Sequence, residues 1–415
     1  MKNINRIQVV IFLMAVIAFA LFNNHLIPSR KELVELELTE VIGMDKIEEG
    51  KYKYEQTVLR SQTQEAKSED SESSGGKPNV FSVKGATFSD IIRTFQTYTN
   101  KTLAGSHIKF MILGEDFCKK DLNMSVDFNV RDYETRFNAN VYLAKELSAR
   151  EFITKVSSNT YNLDEKILSM EKNNDAKNVS YDTNLLDLLE VLSKENSCGL
   201  IPTLEIISPE GDTNTSPDKN NSDDIQGFQS TTIKKEKDSE AFFDFGGYGI
   251  IHKHQLVGYL DKSDSITTNI LKNRKNGTNI NIELEEGYVS FGMLDAQTSY
   301  KFKFNNGNLT DIMVNIKSKF NIEEINTPED IFGYEKMQEM ESKVKEQLSK
   351  NVSKVIEKMR EYDCDFLNIE DMVKIKHPYK YRKLKENFKE ELLKANFVVD
   401  VNVKVLRTYD ILKLS

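Results

Sequence analysis

From Met337 to Met359 the apolar residues return at steps of three and four: Met337, Met340, Val344, Leu348, Val352, Ile356 and Met359. That period places them on one stripe of a single long helix, Tyr334 to Tyr362. A stripe of this length has to be buried, and packing on the chain's own sheet satisfies it. The chain then closes with Val399, Val401, Val403 and Val405 alternating with Asp400, Asn402 and Lys404, a half-buried strand. Helix and strand periods that mix without a regular βαβ rhythm specify an α+β protein with mainly antiparallel sheets.

The earlier segments follow the same logic. Glu40 to Met44 and Tyr52 to Leu59 read as strands joined at Glu48-Glu49-Gly50. Phe88 to Tyr98 reads as a helix with Ser89 as its N-cap. His107 to Leu113 and Phe137 to Ala144 read as strands. Ser148 and Glu151 form a capping-box pattern that opens a helix to Val156, and Leu185 to Leu192 is another helix. Phe242 to Ile251 and Leu256 to Leu260 form a hairpin turning near His254. Further strands fit Asn279 to Leu284, Tyr300 to Phe304 and Ile312 to Ile316, and Pro378 interrupts a helical region from Met372 to Phe388.

Two polar stretches interrupt this order. Ser61 to Pro78 cannot bury apolar surface and reads as a mobile loop. Ser208 to Glu240 reads as a long hairpin excursion, because strand-like segments flank it closely. The expected division is a hydrophobic segment at residues 1–28, an N-terminal α+β unit at 29–165, a middle unit at 166–272 and a C-terminal unit at 273–415.

Lys2 and Arg6 precede an uncharged run, Ile7 to Phe22, which is an export signal. As a helix it spans roughly 24 Å, against about 30 Å of bilayer hydrocarbon. Ala18-Phe19-Ala20 fits a signal peptidase site, while continuation to Pro28 would make a membrane anchor; the balance favours retention. No cysteine precedes Cys118, so no lipid can be attached where this segment ends. With 56 basic against 65 acidic residues the net charge is −9, which argues against a general nucleic-acid binder. Cys118, Cys198 and Cys364 are odd in number and scattered, the pattern of buried free thiols rather than of a disulfide framework or zinc site.

Catalytic signatures are absent: no GxSxG elbow, HExxH, P-loop or Cys–His pairing occurs. Gly246-Gly247-Tyr248-Gly249 runs into an apolar strand rather than a helix, so a bulge is a better reading than a phosphate loop. His252 and His254 could share a metal, yet no carboxylate or Cys pattern completes a site, and a solvated hairpin turn explains them. Asp212 to Asp223 has a calcium-loop outline, but Pro217 stands where that loop requires Gly. Glu283, Glu285 and Glu286 read as a solvated face. No catalytic, cofactor-binding or metal-ligating residue follows, and no ligand-binding residue is assigned.

Glu40-Val-Ile-Gly-Met-Asp45 followed by Gly50-Lys-Tyr-Lys-Tyr54 resembles the opening strand pair of the Ger(x)C family, the C subunits of spore nutrient-germinant receptors. His107 through Asp116 is similar to its strand and Gly-Glu motif. Asp127 to Asp132 with Arg136 to Ala139 resembles its next pair. Gly249-Ile-Ile with Leu256 to Asp261 is similar to its middle hairpin, and Glu357 to Phe388 with Asp400 to Val405 to its carboxy-terminal helices and strand. The resemblance runs from about Arg30 to Arg407.

This resemblance implies three mixed α+β domains and a non-catalytic receptor subunit that triggers spore germination. It implies two partners, a polytopic transporter-like subunit and a second membrane subunit, on the outer face of the inner spore membrane. The chain departs from the family pattern at Ile27, where a lipidated Cys is expected, so an N-terminal anchor or partner association would have to hold it there. Tyr259 and Phe388 stand where the family carries tryptophans, and the two polar stretches look like insertions. An exported cell-envelope protein that binds peptidoglycan or a small solute is the alternative.

Overall fold

The structure, a computed structural model, describes residues 12–19, 35–60, 80–131, 135–157, 163–194, 198–207, 242–274 and 277–406. After α1 (residues 12–19) and the short β1 (Leu36–Glu37), the amino-terminal half reads β2 (Thr39–Glu49), β3 (Tyr52–Arg60), β4 (Val80–Gly85), α2 (Phe88–Thr99), β5 (Thr102–Leu103) and β6 (Phe110–Leu113). It continues with α3 (Glu115–Lys120), α4 (Leu122–Arg131), β7 (Asn140–Ala144), α5 (Ala149–Ser157), α6 (Leu163–Lys177), α7 (Leu185–Leu192), β8 (Cys198–Ile207), β9 (Phe242–His252), β10 (Gln255–Leu260) and α8 (Lys262–Leu271).

Eight strands form one sheet in the order β10-β9-β8-β7-β6-β2-β3-β4, while β1 and β5 pair separately. Its outer pairs are antiparallel, but the three central pairs, β8–β7, β7–β6 and β6–β2, are parallel. Adjacent residues point to opposite faces, and both faces are covered. Ile42, Met44 and Val58 join a core with Phe88 and Phe95 of α2, Phe117 of α3 and Leu188 of α7. Val41 and Leu59 join the other with Phe152 of α5, Ile167 of α6 and Ile270 of α8. A sheet buried on both sides explains why β6 reads Phe-Met-Ile-Leu without alternation.

The carboxy-terminal part holds β11 (Asn279–Glu283), β12 (Tyr288–Asn305), β13 (Asn308–Asn326), α9 (Tyr334–Glu361), α10 (Ile369–Lys376), α11 (Pro378–Leu384), α12 (Phe388–Lys394) and β14 (Asn396–Leu406). Its strands form a second sheet, β11-β12-β13-β14, in which β14 runs parallel to β13. Met340, Val344, Leu348, Val352, Ile356 and Met359 of α9 are buried in the core that this sheet shares with α8. The architecture is α+β with mixed sheets.

Several expectations change. The cap of α2 is Thr87, whose hydroxyl accepts the Asp90 N–H at 3.1 Å, rather than Ser89. Residues 127–131 lie in the helix α4; Pro378 does interrupt the helical region, opening α11 as its first residue after α10 ends at Lys376. The short strands expected at Tyr300 to Phe304 and Ile312 to Ile316 are central stretches of β12 and β13, which are 18 and 19 residues long. Cys198 and Cys364, expected as free thiols, form a disulfide with their Cα atoms 5.5 Å apart; Cys118 is free and buried.

The expected boundary between residues 165 and 166 falls inside α6, and the large sheet crosses it through the β7–β8 pair. Ile207 pairs with Phe242, so residues 208–241 connect two antiparallel neighbours. The expected mobility of residues 61–78 lies outside the described residues. No described helix is long and apolar enough to cross a membrane, and of the Ile7–Phe22 run only residues 12–19 are among those described.

Candidate functional site

One broad cleft, about 1420 Å³, opens where α7, the ends of β8 and β9, the end of α8 and the α10–α12 region meet. Its first wall is α7, started by a reciprocal cap. Asn184 Oδ1 accepts the Asp187 N–H at 2.9 Å while Asp187 Oδ2 accepts the Asn184 N–H at 3.1 Å. The helix lies tight on β8 because a Cβ on Gly199 would sit 2.7 Å from Val191.

The second wall follows α8. Asn273, left-handed at φ 51°, bonds Thr298 twice: its Nδ2 donates to the carbonyl at 2.8 Å and its Oδ1 accepts the N–H at 2.7 Å. These bonds fix the backbone that carries Lys272 and Arg274 into the cleft. The third wall is the turn from Asp363 to Asn368, bounded by left-handed residues at φ 50° and 60°. Asp and Asn tolerate that conformation better than other side chains. Asp365 accepts the Ile369 and Glu370 N–H groups at 2.9 and 2.8 Å, capping α10. Burial pushes its carboxyl up to about 6 against those two bonds.

Three ties hold the walls together. Cys198 of β8 is bonded to Cys364 of the turn. Lys272 Nζ donates to the Phe366 carbonyl at 2.6 Å and to Asn368 Oδ1 at 3.0 Å. Lys194, just beyond α7, pairs with Asp371 of α10 at 3.7 Å. Burial, and then the charge of Arg274, pull the Lys272 ammonium down to about 7.

Behind the cleft lies a buried polar network. Tyr248 donates its hydroxyl to Asn269 Oδ1 at 2.8 Å, and Asn269 Nδ2 donates to the Asn178 carbonyl at 2.8 Å. Such bonds keep the wall rigid, since a buried polar group without a partner is costly. The cleft therefore presents fixed charges of both signs, an arrangement suited to recognition.

The residues singled out by sequence fall elsewhere. Gly246 is skipped in the β8–β9 register and Gly247 has φ 103°, where a Cβ would lie 2.3 Å from the Leu260 carbonyl, so this segment is a bulge. Lys253 and His254 both have positive φ and make a two-residue hairpin turn; His254 Nε2 bonds the Leu192 carbonyl at 2.9 Å. His252 ends β9 and is buried at the cleft edge. Among the described residues no three His, Cys, Asp or Glu side chains gather as a metal set. Glu283, Glu285 and Glu286 are exposed around the β11–β12 turn. Asp212 to Asp223 and Ile27 lie outside the described residues. Lys272, Arg274 and Asp365 had no signal in sequence, because nothing local distinguishes them from other charged residues at helix ends.

Comparison with known proteins gives a consistent picture. Residues 29–206 match the family model described as the spore germination protein N-terminal domain. Residues 246–409 match the one described as spore germination B3/GerAC like, C-terminal. The gap between the two matches brackets the polar excursion. The chain is 23% identical over 377 residues to spore germination protein KC of Bacillus subtilis (strain 168), covering 88% of this chain and 87% of that protein. It is also 23% identical over 388 residues to spore germination protein B3 of the same strain, covering 91% and 92%. A solved structure, that of the GerBC protein, is similar at a TM-score of 0.54 and 16% identity, covering 89% of this chain and 98% of that one. That likeness is one of fold.

Proposed function

Because the chain belongs to the family of spore germination proteins defined by those two domain models, we propose that it is the C subunit of a nutrient germinant receptor. In this reading it is non-catalytic and helps trigger germination from the outer face of the inner spore membrane, beside a polytopic transporter-like subunit and a second membrane subunit. The observation that carries the reading is the two family matches, in order, from residue 29 to residue 409. The Cys198–Cys364 disulfide supports it, since such bonds persist in oxidising compartments outside the cytoplasm.

Attachment follows from the same reading. With Ile27 at the lipidation position, the Ile7–Phe22 run takes over as anchor, or the partners hold the chain. In α1, Phe12, Met14 and Phe19 are 68–70% exposed, apolar surface that suits a lipid environment.

Deleting the gene in the spore-former should abolish or delay the response to at least one nutrient, with restoration on complementation. Normal germination across a nutrient panel, with no redundant copy present, would overturn the proposal. Affinity purification from spore membranes should bring down polytopic partners; a free monomer in the envelope fraction would favour an envelope binding protein for peptidoglycan or a small solute. Amino-terminal sequencing separates the attachment modes, a start at Met1 meaning an anchor and at Leu21 a cleaved signal.

A further inference from the structure

Two cations in the cleft have only neutral partners. Lys272 donates to a carbonyl and an amide oxygen, at 2.6 and 3.0 Å. Arg274 is exposed and lies with its guanidinium 4.5 Å from the Tyr181 ring centroid. Among the described residues no carboxylate oxygen comes within 4.0 Å of either cation. Several of the acids that line the cleft are engaged elsewhere. Asp187 and Asp365 cap helices, Asp363 pairs with Lys389 at 2.6 Å, Asp371 with Lys194 at 3.7 Å, and Glu370 accepts the Tyr381 hydroxyl at 2.7 Å.

We propose that the Lys272–Arg274 wall of the cleft is an anion subsite that takes the carboxylate or phosphate group of a small organic ligand. The Arg274 guanidinium offers a planar fork that either oxyanion can accept in bidentate fashion, and Lys272 adds a compact point charge. Both hang from backbone held by the Asn273–Thr298 bonds and by the Arg274 N–H donated to the Asn269 carbonyl at 3.0 Å, so the site is preorganised. The cleft, about 1420 Å³, exceeds the 300–1,000 Å³ or so of ordinary ligand pockets and has room for the rest of the molecule.

Proton linkage gives the subsite a signature. Lys272 is faced by Arg274 from its own segment, Asp365 from the turn and Asp371 from α10. Burial and Arg274 favour the neutral amine, and the two acids favour the ammonium. A bound anion adds to the acids' side, so binding draws a proton onto Lys272 when the pH lies above about 7.

The test is isothermal titration of the full chain in non-ionic detergent, with acetate and inorganic phosphate as separate probes, near pH 8 in two buffers of different ionisation heat. Saturable binding of either probe is expected, with acetate or phosphate selectivity assigning the anion's class. Arg274→Gln and Lys272→Gln should each weaken it about tenfold or more, and Lys272→Gln should abolish the proton uptake. Arg274→Gln changes an exposed side chain and should leave the fold intact by circular dichroism, which keeps the test decisive if Lys272→Gln does not fold. No saturable binding, or binding that survives Arg274→Gln, would overturn the subsite. So would probe binding unchanged by both substitutions while co-purification with a partner is lost, because the wall then meets an acidic protein surface.

Discussion

Asp45 is 3% exposed, yet its carboxylate accepts the Ala149 and Arg150 N–H groups at 2.7 and 2.8 Å, capping α5 from β2. Room for that carboxylate exists because residue 114 is glycine: a Cβ there would lie 2.0 Å from Asp45 Oδ1. The final residue of the Glu40–Asp45 motif and the glycine of the Gly-Glu motif are thus two halves of one structural contact. Burial lifts the Asp45 carboxyl from 3.8 to about 6 despite the two N–H donors. The unfolded chain releases this proton near pH 4 and the folded protein only near 6. Between those values the folded state binds the extra proton, so stability falls as pH rises, and above about 6 the slope vanishes. Asp45→Asn leaves one N–H unmet and should cost about 1–3 kcal/mol at neutral pH, while flattening the pH 4 to 6 slope. Urea unfolding across that range checks both; an undiminished slope in the variant would place the titration elsewhere. Gly114→Ala should also destabilise, by about 1–3 kcal/mol through overpacking, and should leave the slope altered because it displaces the same carboxylate.

At the scale of elements, α8 and α9 are joined by charge as well as by apolar packing. Asp264 of α8, 1% exposed, has Oδ1 3.1 Å from Lys354 and Oδ2 2.5 Å from Lys358, one turn apart on α9. Removing Lys358 leaves this buried carboxylate only the more exposed Lys354, an undercompensated charge, which is worse than removing both members of the close pair. Lys358→Met should therefore destabilise by about 2 kcal/mol or more, and Lys358→Met with Asp264→Asn by less than the sum of the single changes. A double-mutant cycle by denaturant unfolding reads this coupling; strict additivity would show that the pair contributes nothing. Elements such as α7, the α5 capping box and the α9 stripe were legible because caps and periods are local properties. The long β12 and β13 were not. Their stretches at Leu294 and Asp295, beside a register shift, and at Glu323 to Asn326 carry polar or exposed residues whose strand conformation comes from pairing across the ribbon, a non-local cause. The parallel centre of the large sheet was equally hidden, since an apolar run such as Phe110 to Leu113 does not reveal the direction of its neighbours.

Over the whole molecule, the cleft draws its walls from residues 140 to 392, and no window of sequence contains enough of it to be recognised. Its disulfide illustrates why. Three scattered cysteines argue against a framework, but two of them, 166 residues apart, meet only after the large sheet and the carboxy-terminal helices have docked. A cross-link between such distant positions removes much of the freedom of the unfolded chain, worth about 5 kcal/mol in the loop-entropy model. It also joins β8 to the turn before α10 directly, so its loss should loosen the cleft more than the outer strands. Alkylation of the native protein without reduction should modify no cysteine, because Cys118 is buried, and denaturation should expose that one alone. Denaturation after reduction should expose three. Cys198→Ser, Cys364→Ser and the double variant should share one lowered melting temperature, since each removes the same bond. Hydrogen exchange should then rise first at residues 363–371 and 198–200, with β2, β3 and β6 unchanged. Three alkylated cysteines in the unreduced, denatured protein would show that the bond does not form, and with it would go the support it lends to folding in an oxidising compartment.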